Sequence, residues 1–197
     1  MSNASYIYNV LCFTTNLKLF EPISILKKFM ESTNQTKKKV TKENPLNFNY
    51  KINDKKILLS FHQITDFTQE KLDICYFADS YLIIIDLEND NTYKNLEEII
   101  IFMRNLCDLE KTVFVLGLYS NTQKTKNNLN EENVIEFLEE KRLIYEYFES
   151  NIDSINDLNK TIDFILKEGF KKIEKKIKDG DSGVKTDSES NSHCFIF

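Results

Sequence analysis

Cys194 is the residue whose type and setting most directly suit chemistry, because Cys194-Phe195-Ile196-Phe197 fits a C-a-a-X box with an aliphatic Ile196. Prenyltransferases read such a box, and a terminal Phe favours geranylgeranyl over farnesyl. The stretch from Lys178 onward (KDGDSGVKTDSESNSH) is rich in Ser, Asp and Gly, which predicts an unstructured tail that an enzyme can reach. One prenyl chain anchors only marginally, so a second signal is expected. Lys171, Lys172, Lys175, Lys176 and Lys178 offer an electrostatic one toward anionic cytoplasmic lipid, and they equally suit a solvated helix end. Ser182, Ser188, Ser190 and Ser192 are positions where phosphorylation would add negative charge and favour release.

Elsewhere the chemistry-bearing residues do not converge. His62 is the one His before the tail and has no partner motif, so it reads as a polar residue at a strand end. Cys12, Cys75 and Cys107 sit in apolar contexts and read as small buried hydrophobes, with neither CxxC spacing nor paired His to suggest zinc or a disulfide framework. The acidic pairs Glu97-Glu98, Glu131-Glu132 and Glu139-Glu140 are helix neighbours on solvent faces, unsuited to paired acid–base work. GxSxG, HExxH and Ser-His-Asp patterns do not occur. No catalytic residue is assigned, and neither is a metal ligand.

The glycine count excludes more. Of four glycines, Gly180 and Gly183 fall in the tail, leaving Gly117 and Gly169. Phosphate loops need Gly because their backbone takes positive φ and approaches the phosphates closely. Neither GxxxxGK[ST] nor GxGxxG can be written in residues 1–168.

Composition narrows the class. The chain has 197 residues and a formal net charge of −5, enough length for one domain with a tail, and no basic excess for nucleic acid. A mean hydropathy of −0.40 and the lack of a long apolar run argue against a spanning helix. Residues 1–5 carry neither the basic cluster nor the apolar stretch of a secretory signal, so a cytoplasmic setting is expected.

The elements alternate. Tyr6–Phe13, Leu46–Ile52, Lys56–Phe61, Tyr81–Leu87, Val113–Leu118 and Leu143–Phe148 read as strands, with Asn53-Asp54 turning the second into the third. Pro22–Ser32, Tyr93–Cys107, Glu131–Lys141 and Ile155–Ile177 carry apolar stripes at helical spacing, and a short helix precedes the fourth strand. Asn91 or Thr92 and Ser154 are the candidate caps. Thr33–Asn44 and Ser120–Asn130 read as polar loops. This order predicts an α/β sandwich with a six-stranded, mostly parallel sheet, one antiparallel strand and about five helices over residues 1–177, followed by the tail 178–197.

That order, together with Ala78-Asp79-Ser80-Tyr81-Leu82-Ile83-Ile84-Ile85-Asp86-Leu87 followed by Asn91-Thr92-Tyr93-Lys94-Asn95-Leu96, resembles the Ras-like small GTPases, most closely their Rab and Ras branches. The resemblance spans roughly Tyr6–Ile173 and implies a Ras-like three-layer sandwich. Its nucleotide motifs do not carry over. The phosphate loop position reads Phe13-Thr14-Thr15-Asn16-Leu17-Lys18-Leu19-Phe20-Glu21-Pro22, with no Gly and no Lys-Ser/Thr pair. Pro22 lacks an N–H and Glu21 puts a carboxylate where phosphate would bind, while Lys18 reads as a surface lysine. The "DxxG" position reads His62-Gln63-Ile64-Thr65, with Asp66 nearby, and "NKxD" reads Leu118-Tyr119-Ser120-Asn121 after a matching Gly117. An Asn121 amide cannot accept two guanine N–H donors as a carboxylate does. The "SAK" position reads Glu149-Ser150-Asn151.

The resemblance thus implies a small pseudo-GTPase without a cofactor. The expectation is a prenylated protein that binds protein partners at a cytoplasmic membrane surface as a scaffold or subunit, in trafficking or signalling. A divergent GTPase holding GTP/GDP and magnesium through Thr14, Thr15 and Asp66 is the alternative. A cytosolic α/β interaction module without a lipid is the third.

Overall fold

Alternation of buried and exposed residues makes Leu46–Ile52 a strand with one core face, and seven buried residues in a row make Ser80–Asp86 a central strand covered on both sides. The computed structural model describes residues 6–16, 21–32, 45–52, 55–65, 72–89, 91–107, 110–120 and 131–178. In chain order the elements are β1 (Tyr6–Thr14), α1 (Pro22–Ser32), β2 (Leu46–Ile52), β3 (Lys55–Gln63), α2 (Leu72–Phe77), β4 (Ser80–Asp86), α3 (Thr92–Leu106), β5 (Thr112–Tyr119), α4 (Glu131–Glu140), β6 (Tyr145–Asn151) and α5 (Ile155–Lys178).

The strands form one six-stranded sheet in the order β2-β3-β1-β4-β5-β6. β1 runs parallel to β3, with Val10 opposite Phe61, and parallel to β4, with Val10 opposite Ser80. β2 alone is antiparallel to its neighbour, with Phe48 opposite Leu59. The α/β sandwich expected from the sequence is observed, with three layers. Tyr8, Val10 and Cys12 face α1 and α5 on one side of β1, while Leu11 and Phe13 face the cluster built with α2, α3 and α4.

The element ends differ from expectation for local reasons. β6 starts at Tyr145 rather than Leu143, because Arg142 turns the chain with φ 50 and the Leu143 N–H donates to the Leu138 carbonyl at 3.2 Å. It continues to Asn151 because Glu149, Ser150 and Asn151 pair in register with Gly117, Leu118 and Tyr119, which their polarity hid. Asn91 precedes α3 without a side-chain cap; the Thr92 hydroxyl instead donates to the Asp86 carbonyl. Ser154 begins α5 through its carbonyl, which accepts the Asp157 and Leu158 N–H groups, while its hydroxyl donates to the Asp157 carboxylate at 2.7 Å. Cys12 and Cys75 are buried as expected, whereas Cys107 at the end of α3 is only half-buried. Among the described residues no helix is long and apolar enough to cross a membrane. Lys18, Asp66, Asn121, Cys194, Asn53-Asp54, the loop 33–44 and the tail 179–197 lie outside the described residues.

A candidate site at the carboxyl ends of β1 and β4

An open parallel sheet forms a crevice where connections from neighbouring strands leave toward opposite faces, beyond the strands' carboxyl ends. Here that point lies between β1 and β4. α1 follows β1 onto one face and α3 follows β4 onto the other. Thr14 at the end of β1, with Thr15 and Asn16 just beyond it, therefore meets Asp86 at the end of β4 and Glu88 just beyond it.

These groups bond to one another. The Asn16 side-chain amide donates to the Asp86 carboxylate at 2.8 Å, and the Glu88 N–H donates to the same carboxylate at 3.0 Å. The Asp86 N–H donates to the Thr15 hydroxyl oxygen at 3.0 Å, and the Thr15 N–H donates to the Ile84 carbonyl at 3.0 Å. From α3, the Asn95 amide reaches over and donates to the Thr15 carbonyl at 2.7 Å. The Asn16 N–H donates to the Thr14 hydroxyl oxygen at 3.2 Å. Asp86 is only 2% exposed, so these partners supply what water would otherwise give its carboxylate.

The start of α1 is equally occupied. A helix N-terminus attracts anions through N–H groups that lack intrahelical partners. Pro22 has no N–H, the Ile23 N–H donates to the buried Gln63 side chain at 3.2 Å, and the Ser24 N–H donates to the Glu21 carbonyl at 3.0 Å. The Ser24 hydroxyl bonds the Glu21 carboxylate, which stays at the positive end of the helix. Gln63, in the stretch read as a lost "DxxG" motif, thus caps α1.

On the far side of the crevice, Leu118 is buried and its carbonyl accepts the Leu87 N–H at 3.0 Å. Tyr119 is half-buried, and its carbonyl accepts the Ile152 N–H at 2.9 Å. The Ser120 N–H donates to Glu88 at 2.8 Å and its hydroxyl to Asp153 at 2.6 Å. Gly117 has a structural reason: a Cβ there would stand 2.7 Å from the Tyr147 hydroxyl and 3.0 Å from a Leu87 methyl. Glu21, Asp86, Glu88 and Asp153 give this end of the sheet an acidic lining, which disfavours a phosphate. Among the described residues no group of three or more His, Cys, Asp and Glu side chains is gathered as for a metal ion.

His62, the other titratable candidate, sits on β3 with its Nε2 2.9 Å from the Ser60 hydroxyl; burial lowers its pKa below the ordinary 6.5. It does not join the crevice network. Asp86 and Asn95 do, while Gln63 acts at the start of α1, and their types alone gave no sign of either role. The available signal was an acid closing the apolar run Tyr81–Ile85.

A second feature is a surface. Tyr76 and Phe77 at the end of α2 are 77% and 62% exposed and pack ring edge to ring face at 5.5 Å. Lys111 donates to the Tyr76 carbonyl at 2.7 Å and lies 5.9 Å above its ring. Ile7, on the face of β1 that α2 covers further along, is exposed as well. The chain matches no model of a known protein family, and no curated protein is detectably similar to it in sequence.

Proposed function

We propose that this chain is a nucleotide-independent interaction subunit, with a Ras-like sandwich serving as a platform for protein partners. One observation carries the reading: the crevice where such a sheet would hold a nucleotide is spanned by the chain's own Asn16–Asp86 and Asn95–Thr15 bonds. A phosphate entering there would have to break those bonds and would face the buried Asp86 carboxylate. The exposed Tyr76–Phe77 pair is the partner surface, since contiguous exposed aromatics on a folded domain mark contact sites.

The proposal includes a cytoplasmic membrane address through a geranylgeranyl or farnesyl group on Cys194, which rests on residues 194–197 of the sequence as a carboxyl-terminal box. Detergent-phase partitioning of the protein from its native cell, compared with Cys194→Ser, tests the lipid. Analysis of small molecules released on denaturing the purified protein tests the platform. Freedom from guanine nucleotide is expected, and near-stoichiometric GTP or GDP would instead support the divergent GTPase acting through Thr14, Thr15 and Asp66.

A further inference from the structure

β6 is an edge of the sheet: among the described residues it pairs with β5 on one side and with nothing on the other. Edge strands expose a row of N–H and C=O groups that can template pairing with another chain, and folded proteins commonly blunt them. β6 is poorly blunted. Its sequence YEYFESN contains no Pro or Lys, and Tyr145 to Phe148 are all half-buried. Its two carboxylates are already engaged, Glu146 with Lys172 of α5 and Glu149 with the Tyr147 hydroxyl at 2.7 Å. Beside it, Phe148 packs edge to face on Phe164, which is 51% exposed.

We propose that β6 pairs antiparallel with β6 of a second copy of this chain, about a two-fold axis at Phe148, joining two six-stranded sheets into one. The register follows from charge. A two-fold axis normal to the sheet places each residue opposite one of the same face, so the residue at the axis meets itself. An axis at Glu146 or at Glu149 sets carboxylate against carboxylate. An axis at Tyr147 sets Glu146 against the Phe148 ring. An axis at Phe148 sets Glu149 opposite Tyr147, repeating across the interface the hydroxyl–carboxylate pairing already present within each strand. It also sets Glu146 opposite Ser150, which keeps the two Glu146 carboxylates apart. The two Phe148 rings meet at the axis, flanked by the two Phe164 rings. This pairing is independent of whether a nucleotide binds.

Sedimentation of the full chain over a concentration series tests the pairing. The expected mass rises toward twice 23.3 kDa, and Phe148→Glu returns it to the single-chain value. A second test does not depend on that variant folding. In a Cys194→Ser background, Phe148→Cys should cross-link to itself on mild oxidation. Ile144→Cys should not, although Ile144 is 81% exposed. A wild-type chain that stays single throughout, including one whose β6 edge accepts only a foreign extended peptide, overturns the proposal. So does a dimer that cross-links through Ile144→Cys and not through Phe148→Cys.

Discussion

The Asn16 side-chain amide lies 2.8 Å from the Asp86 carboxylate, joining the carboxyl ends of β1 and β4 across the sheet's switch point. Together with the Asn95 amide on the Thr15 carbonyl, it fills with protein a place that parallel α/β sheets usually leave open to a ligand.

Asn95→Ala removes the donor to the Thr15 carbonyl while Thr15 stays buried. Leaving a buried acceptor unpaired costs about 1–3 kcal/mol, so urea unfolding should show that loss at an unchanged slope. A destabilisation below the lower end would mean that the bond closing the crevice contributes little.

Gly169 lies on α5 against β1, and a Cβ there would stand 2.0 Å from the Tyr8 hydroxyl and 3.1 Å from the Phe114 ring. Tyr8 cannot yield freely, since it is buried and bonded to the Ser80 hydroxyl at 2.7 Å. Gly169→Ala should therefore lower stability by about 1–3 kcal/mol, the range for forcing extra volume into a packed core. An unchanged melting temperature would show that α5 can shift off the sheet at little cost.

His62 provides a pH test. Burial lowers its pKa in the fold below the unfolded value of 6.5, so the unfolded chain takes up the proton first as pH falls. Its contribution to stability is present above 6.5 and is lost as pH falls toward the folded value. Asp79 acts in the opposite sense at lower pH. Burial raises its pKa above 3.8, so its contribution is present below 3.8 and is lost as pH rises through the folded value. In a proton NMR titration the His62 ring should titrate below the ordinary 6.5, and His62→Gln should flatten the stability profile just below 6.5. A His62 midpoint at or above 6.5 would contradict this.

Tyr76→Ala and Phe77→Ala remove exposed rings, so stability should change by no more than about 0.5 kcal/mol. Binding of a protein partner that uses this surface should fall at least tenfold. Equal affinity of the wild type and the double variant for a partner isolated with the native protein would move the contact elsewhere.

Much of the fold was legible because the apolar pattern is strong. Pro22–Ser32 and Leu46–Ile52 match their sequence-read bounds, since helical spacing after a Pro and strict alternation each have one simple solution. The carboxyl end of β6 was not legible, because Glu149, Ser150 and Asn151 are held by pairing with β5 rather than by their own propensity. At the crevice, the missing Gly and the Glu21-Pro22 pair could be read directly from residue types. The roles of Gln63, Asp86 and Asn95 could not. Each bonds a backbone or side-chain group of another element, with sequence separations of 40, 70 and 80 residues, which no local pattern encodes.

The most direct measurement is a titration of the purified chain with fluorescent GTP and GDP in the presence of magnesium. A crevice closed by Asn16, Asp86, Asn95 and Thr15 predicts no saturable binding at micromolar nucleotide and no change when Asp86 is replaced in Asp86→Asn. Saturable micromolar binding by the wild type would contradict it and make Thr14, Thr15 and Asp66 the residues to test next.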